Sequence, residues 1–372
     1  MHMIRQYLGG PGRASSEGQM LAFLLALAVS ITSCQRSSSM IMSDGKNYIE
    51  IKYIGNIKMN DDETAIESIA DRRGYLRYRN NKERMLVEPT DNGVRYELYD
   101  ETGRKLDPAS EEGKKFIARA VHEMIELGFD ADGRMDRIER RGGYRALLTA
   151  TDSVKSDYLR GRYLNRVLRS DSLTPADVAD VLDRARRLLD SDYEKAQLLV
   201  KVDDSRLSND SVAQEYLRTA ASVHSDYDKA RSLKHYLKMP LPAGRYVETL
   251  AVIQTLGGDY DKSQTLKEMI GKGILEGAPF DSLMQVVDHI AGDYDRGNLI
   301  RQLVKKDLKE DASWAGLIRA TGRISGDYDK GNVLVEIAHR LPRTDSLKAI
   351  YMTTARTLHS DMDYGKAVRA LE

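Results

Sequence analysis

Cysteine and tryptophan each occur once in this 372-residue chain, and phenylalanine only four times. A single cysteine excludes a disulfide framework and any Cys-based structural zinc site. A charge excess of either sign is missing as well. With 57 Lys and Arg against 57 Asp and Glu, the chain lacks the basic footprint of a general nucleic-acid binder. What is present is 31% charged residues, 41% hydrophobic residues and twenty tyrosines. The tyrosine excess needs a positional cause. At ~100–200 residues per domain the length suggests two or three domains.

The N-terminus reads as a targeting segment. Arg5 and Arg13 precede the apolar run 21–31, followed by Thr32, Ser33 and Cys34. The run is too short to cross ~30 Å of hydrocarbon at ~1.5 Å per residue. A basic region, a short apolar core and small residues make a secretory signal; Met3 and Met20 are alternative starts. Ile31-Thr32-Ser33-Cys34 resembles the lipobox of bacterial lipoproteins. That resemblance implies cleavage before Cys34 and lipidation of its sulfur, so that residues 1–33 are removed. It also favours the outer membrane, because Gln35 is not Asp; the side it faces stays open. Two or more acyl chains give stable anchoring. The polar stretch 34–46 then reads as a flexible tether.

Residues 47–142 read as a β-rich domain with covering helices. Ile49, Ile51 and Tyr53 alternate with Glu50 and Lys52, the period of a half-buried strand. Asn80-Asn81-Lys82 separates two further strands. Asn92-Gly93 suits a type I′ hairpin turn, and Thr102-Gly103 turns the chain again. The expectation is an antiparallel meander of five to seven strands. Phe116, Ile117, Ala120, Val121, Met124, Ile125 and Leu127 give a helical apolar face to cover it. Gly128 ends that helix, a shorter one covers about 131–141, and Gly142-Gly143 marks the boundary.

From 143 to 372 the chain repeats itself. Asp157, Asp192, Asp226, Asp259, Asp293, Asp327 and Asp361 lie 35, 34, 33, 34, 34 and 34 residues apart. Ser or Gly precedes each, and Tyr follows each except the last, where Met362 stands. Ser and Gly are acceptable N-caps, and an acid three residues after the cap (Glu194, Asp228, Asp261, Asp295, Asp329, Asp363) suggests a capping box. The repeated Asp then opens a helix, where its charge opposes the dipole for ~0.3–1 kcal/mol. A small residue (Gly161, Ala196, Ala230, Ser263, Gly297, Gly331, Gly365) recurs inside that helix. Gly there costs ~0.5–1 kcal/mol relative to Ala, so the position implies close approach of a neighbouring backbone. An aliphatic residue three before each Asp, from Val154 to Leu358, closes a second helix.

The fold class expected is therefore α+β: a small antiparallel meander, then an αα-repeat right-handed solenoid of about seven units. Stacked pairs share a core that one pair cannot bury alone. At ~8–10 Å between helix axes they make a rod or arc on the order of 60 Å long. The period equals that of tetratricopeptide repeats, but their Trp, Leu-Gly and Pro positions are absent, and the shape is closer to a HEAT-like superhelix. The phrase Ser-Asp-Tyr-Glu/Asp-Lys-Ala at 191–196 and 225–230 resembles repeats attached to bacterial membrane metallopeptidases of the β-lactam-sensor type. There the repeats follow a small β-rich segment. The peptidase half is missing here, and a lipobox stands in its place.

Motifs that carry chemistry are scarce. His122-Glu123-Met124-Ile125-Glu126 lacks the second His of a zinc helix and reads as an exposed helix edge. His224 and His359 occupy equivalent repeat positions too far apart to share an ion, with His289 nearby in its own unit; all read as helix-end residues. The basic residue three after each repeated Asp (Arg160, Lys195, Lys229, Lys262, Arg296, Lys330) suggests self-neutralised i,i+3 pairs, each worth ~0.2–0.5 kcal/mol; the other reading is an ionic binding ridge. No phosphate loop, dinucleotide glycine set or nucleophile elbow appears. No catalytic residue, metal ligand or cofactor is expected. The seven Asp are assigned structural roles and Cys34 the lipid. The function expected is a lipid-tethered, non-enzymatic scaffold holding a protein or peptide, with no nucleic acid. The alternative is an envelope sensor or enzyme with a site between sheet and solenoid.

Overall fold

The computed structural model describes residues 37–43, 48–272 and 277–372. The chain divides into two compact units, one ending at Gly133 and the other running Arg134–Glu372. The expected signal segment, Cys34 and part of the expected tether lie outside the described residues.

The first unit contains eight strands: β1 (Ser37–Ser43), β2 (Tyr48–Ile54), β3 (Ile57–Met59), β4 (Ile66–Ile69), β5 (Tyr75–Asn80), β6 (Glu83–Thr90), β7 (Gly93–Tyr99) and β8 (Lys105–Leu106). Six form one antiparallel sheet in the order β1-β2-β5-β6-β7-β8, and β3 pairs with β4 in a small second ribbon. This is the expected meander with one hairpin inserted. Tyr96 fixes the insertion: its hydroxyl accepts from the Ile66 N–H at 2.7 Å and donates to the Ile66 carbonyl at 2.9 Å.

Two sequence expectations are corrected here. Residues 37–43 were expected within a flexible tether, yet they pair with β2 along their whole length, from Ser37 opposite Ile54 to Ser43 opposite Tyr48. The edge of β2 offers unpaired N–H and C=O groups, and Met40 and Met42 add partly buried contacts with the core. At the β6–β7 hairpin Thr90 faces Gly93, so Asp91 and Asn92 are the central residues. Neither has a positive φ; only Gly93 does, at 134°. The turn is therefore not type I′, and glycine takes the fourth position, as in common type I turns.

Helix α1 (Glu111–Glu126) covers the sheet. Ser110 caps it by accepting from the Gly113 N–H, and the expected apolar face is buried up to Ile125, while Leu127 is the C-cap and partly buried. It packs on Ile51, Leu76, Met85, Val87 and Leu98 in one core. Tyr78, almost fully buried, donates to Glu123 of this helix, and Asn80 adds a 2.9 Å bond to the same carboxylate.

Helix α2 (Ala131–Ala150), all but its first three residues in the second unit, is broken at Gly142 and Gly143, the latter at φ 64°. The sequence boundary at 142 is thus a kink, while the compact unit begins upstream of it. Arg166 explains the difference: it pairs back to Asp136 at 2.8 Å and Glu139 at 2.7 Å, tying this helix to the repeats.

The remaining helices are α3 (Asp157–Leu168), α4 (Pro175–Leu188), α5 (Asp192–Leu199), α6 (Asp204–Leu207), α7 (Asp210–Ala221), α8 (Asp226–Tyr236), α9 (Ala243–Gln254), α10 (Asp259–Ile270), α11 (Gly277–Asp288), α12 (Asp293–Val304), α13 (Asp311–Gly322), α14 (Asp327–Ala338), α15 (Asp345–Ala355) and α16 (Asp361–Leu371). Each repeated Asp is the first residue of its helix. The capped helices α3, α5, α8, α10, α12, α14 and α16 pack on one another in that order. The second helices α4, α7, α9, α11, α13 and α15 do the same. This repeated arrangement fits an α-solenoid. The aliphatic residues three before each Asp are buried, but from Leu189 to Leu358 they stand at or just beyond the helix end rather than inside it.

Candidate functional site

The repeated Asp does more than cap its own helix. The carboxylate of Asp157 accepts the backbone N–H groups of Asp190 and Ser191 at 2.7 and 2.6 Å. Asp226 accepts from Gly257 and Gly258, Asp259 from Ala291 and Gly292, Asp293 from Ser325 and Gly326, and Asp327 from His359 and Ser360. Asp192 takes the Ser225 N–H at 2.7 Å. In each case the donors belong to the turn of the following repeat. The N–H groups of Gly257 and Gly258 hold Asp226 below the usual carboxylate range. Burial pushes Asp192 upward, and the His224 and Ser225 N–H groups outweigh it, so it too is lowered.

The basic residue three positions on grips the other half of the same turn. Arg160 donates to the Leu188 carbonyl at 2.7 Å, Lys195 to Ser222 at 3.4 Å and Arg296 to Arg323 at 2.5 Å. Lys229 reaches the Thr255 hydroxyl at 2.9 Å and Lys330 that of Thr357 at 3.1 Å. Lys195, Lys229, Lys262, Arg296 and Lys330 are all buried. Neither expectation for these cations holds: they are no exposed ridge, and only Arg160 lies within ion-pair distance of its own Asp, at 3.3 Å. Asp and base together clamp the neighbouring turn at its free N–H and C=O groups, which a helix end leaves unsatisfied.

The clamp also alters the capping box. Ser191, Ser225 and Ser360 accept from the N–H three residues on, but the return bond does not form. The cap N–H is already taken by the preceding repeat's Asp. In three repeats the acid at the third helical position turns instead toward the small residue of the repeat before it. Ser263 donates to Asp295 at 3.0 Å. A Cβ at Gly161 would meet the Glu194 carboxylate, and one at Gly331 would lie 3.1 Å from the Asp363 Cβ. The small position thus receives a side chain rather than a backbone.

With the first and fourth helical positions turned to the neighbour, the second lies ~100° round the helix. That is where the tyrosine stands. Tyr158, Tyr193, Tyr227, Tyr260, Tyr294, Tyr328 and Met362 are between 51% and 70% exposed. They make up most of the large exposed apolar side chains among the described residues; the others are Ile41 and Val247. The repeat therefore presents one large side chain per unit in a fixed register. Between α8 and α10, Tyr227 and Tyr260 border a groove of about 520 Å³ that also contains Arg231, Lys234, His235 and Lys238.

The other sequence candidates stay apart. Cys34 lies outside the described residues. Asp361 opens α16 and forms no bond to a further turn among the described residues. His122 is exposed, 3.5 Å from Glu126, and Glu123 is occupied by Tyr78 and Asn80. His224 is exposed beside Asp192 at 3.7 Å, and His289 bonds the Gln285 carbonyl. Among the described residues no group of three or more His, Cys, Asp or Glu is placed to hold a metal ion, and no helix is long and apolar enough to cross a membrane. The sequence pointed to the tyrosines as repeat markers but not to their exposure; the signal was their place next to a residue that must face the neighbour. Comparison with protein-family models, curated proteins and solved structures finds no match to this chain.

Proposed function

We propose that the protein is a non-enzymatic scaffold of the bacterial envelope, tethered to the membrane through Cys34. Its repeats form a right-handed HEAT-like solenoid whose tyrosine row holds a protein or peptide partner. The observation that carries this reading is the row itself. Every other member of the repeat signature is used internally: the cap, the Asp, the base, the small residue and the aliphatic. The tyrosines alone are left in solvent, and aromatic side chains of this kind are enriched where proteins meet. Tyrosine also supplies contact area with few rotamers to freeze.

The test is site-specific photo-cross-linking in cells, with a benzoyl-phenylalanine in place of Tyr260 or Tyr294 and a control at the exposed Ala349 of α15. A discrete adduct at both tyrosine sites and none at Ala349 is expected. Absence of adducts at the tyrosines, or equal labelling at Ala349, overturns the proposal.

A further inference from the structure

The groove between α8 and α10 differs from the rest of the tyrosine row in its charge. Arg231, Lys234 and Lys238 follow one another at steps of three and four, which places them on one face of α8 and of the turn beyond it. No other capped helix carries three cations at these positions. The preceding one has Gln197, Val200 and Asp204, and the following one has Gln264, Lys267 and Gly271. Asp261 is the one carboxylate in the groove wall. Arg231 lies 3.8 Å from Asp228, whereas neither Lys234 nor Lys238 has a side-chain partner among the described residues. Lys272 brings a further cation close by donating to the Lys238 carbonyl at 3.2 Å. A helix dipole favours one cation in a last turn, which accounts for Lys234 but not for Arg231 before it or Lys238 after it. In a chain of zero net charge, two lysines with no side-chain partner among the described residues, beside Arg231 and bordered by exposed Tyr227 and Tyr260, call for a complementary ligand.

We propose that this groove is the acidic-peptide subsite of the tyrosine row, an inference that rests on the scaffold reading above. Neighbouring cations on a helix face stand ~5–6 Å apart. Carboxylates on one side of an extended chain are ~6.6 Å apart, two residues at ~3.3 Å each. An extended segment with Glu or Asp at alternate positions therefore meets Lys234 and Lys238 together, while its main chain and remaining side chains lie against the rings of Tyr227 and Tyr260.

The experiment is fluorescence anisotropy on the full chain with a labelled twelve-residue peptide of alternating Glu and Ser, its Gln-Ser counterpart, and phosphatidylglycerol vesicles as competitor. The Glu-Ser peptide is expected to bind, and the Gln-Ser peptide at least tenfold more weakly. Lys234→Gln with Lys238→Gln should raise Kd tenfold or more, and Tyr227→Ala about fivefold, with the circular dichroism melt unchanged. Wild-type affinity in the double lysine variant overturns the proposal. So does loss of vesicle binding in that variant when the Glu-Ser peptide is not bound, which assigns the groove to a lipid headgroup. If the peptide fails while cross-linking at Tyr260 and Tyr294 stands, only the acidic subsite falls. If both fail, the scaffold reading falls with it.

Discussion

Replacing Asp226 by Ala removes two charge-assisted bonds at once, those from the Gly257 and Gly258 N–H groups. A hydrogen bond to a charged group contributes ~1.5–3 kcal/mol net. Gly257 is exposed and Gly258 partly so, so water replaces part of what is lost, and solvent screening lowers the charge contribution further. The expected cost is about 2 kcal/mol, against ~0.3–1 kcal/mol if the carboxylate acted on its own helix dipole alone. Repeat arrays depart from two-state unfolding, so the local readout is hydrogen exchange at Gly257 and Gly258. Both amides should exchange about thirtyfold faster, 1.4 kcal/mol being a factor of ten. Asp361→Ala is the internal control, because Asp361 clamps no further turn and should cost only the dipole share. The pH dependence has a definite sign. The folded pKa of Asp226 is lowered, so its contribution is complete above the ordinary carboxylate value of ~3.9 and is lost as pH falls through the lower folded value. The gap between wild type and Asp226→Ala should therefore close in acid. Equal costs for Asp226→Ala and Asp361→Ala would refute the clamp.

Two further predictions concern packing and location. A Cβ at Gly297 would find ordinary contacts with Val333 and Ile324 at 3.5 and 3.7 Å, whereas one at Gly331 presses on Asp363 at 3.1 Å. Gly297→Ala should thus be neutral or stabilising by up to ~1 kcal/mol, Gly331→Ala mildly unfavourable, and Gly331→Leu destabilising by ~1–3 kcal/mol through overpacking; thermal unfolding decides, and a Leu variant as stable as wild type defeats the contact. Cys34→Ala should release the protein from the membrane fraction and abolish metabolic labelling with palmitate; a variant that stays membrane-bound, with no label on the wild type, defeats the anchor.

The repeat, its helix starts and its internal helix were legible because each rests on a local rule. Ser or Gly before Asp caps a helix whatever surrounds it, and a small residue in a helix interior announces a close neighbour. What periodicity does not give is the identity of that neighbour. Asp226 looks the same in sequence whether it faces its own dipole or the turn at Gly257, because the partner is a backbone N–H of the next repeat, a group every residue but proline carries. The buried bases were misread for the same reason: Lys195 and Lys229 resemble surface helix lysines until a carbonyl from the next turn is brought over them. β1 was missed because four serines outweigh Met40 and Met42 in any composition-based reading, while its pairing depends on the free edge of β2.

The clamp has a direction. Asp226 and Lys229 sit in α8, and the turn they hold comes after it in the chain, as do the turns held by Asp157, Asp192, Asp259, Asp293 and Asp327. During synthesis on the ribosome, each gripping pair therefore emerges before the turn it will grip. A repeat leaving the ribosome thus meets a gripping pair that is already made, and each arrival supplies the hydrogen-bond partners that the Asp of the one before still lacks.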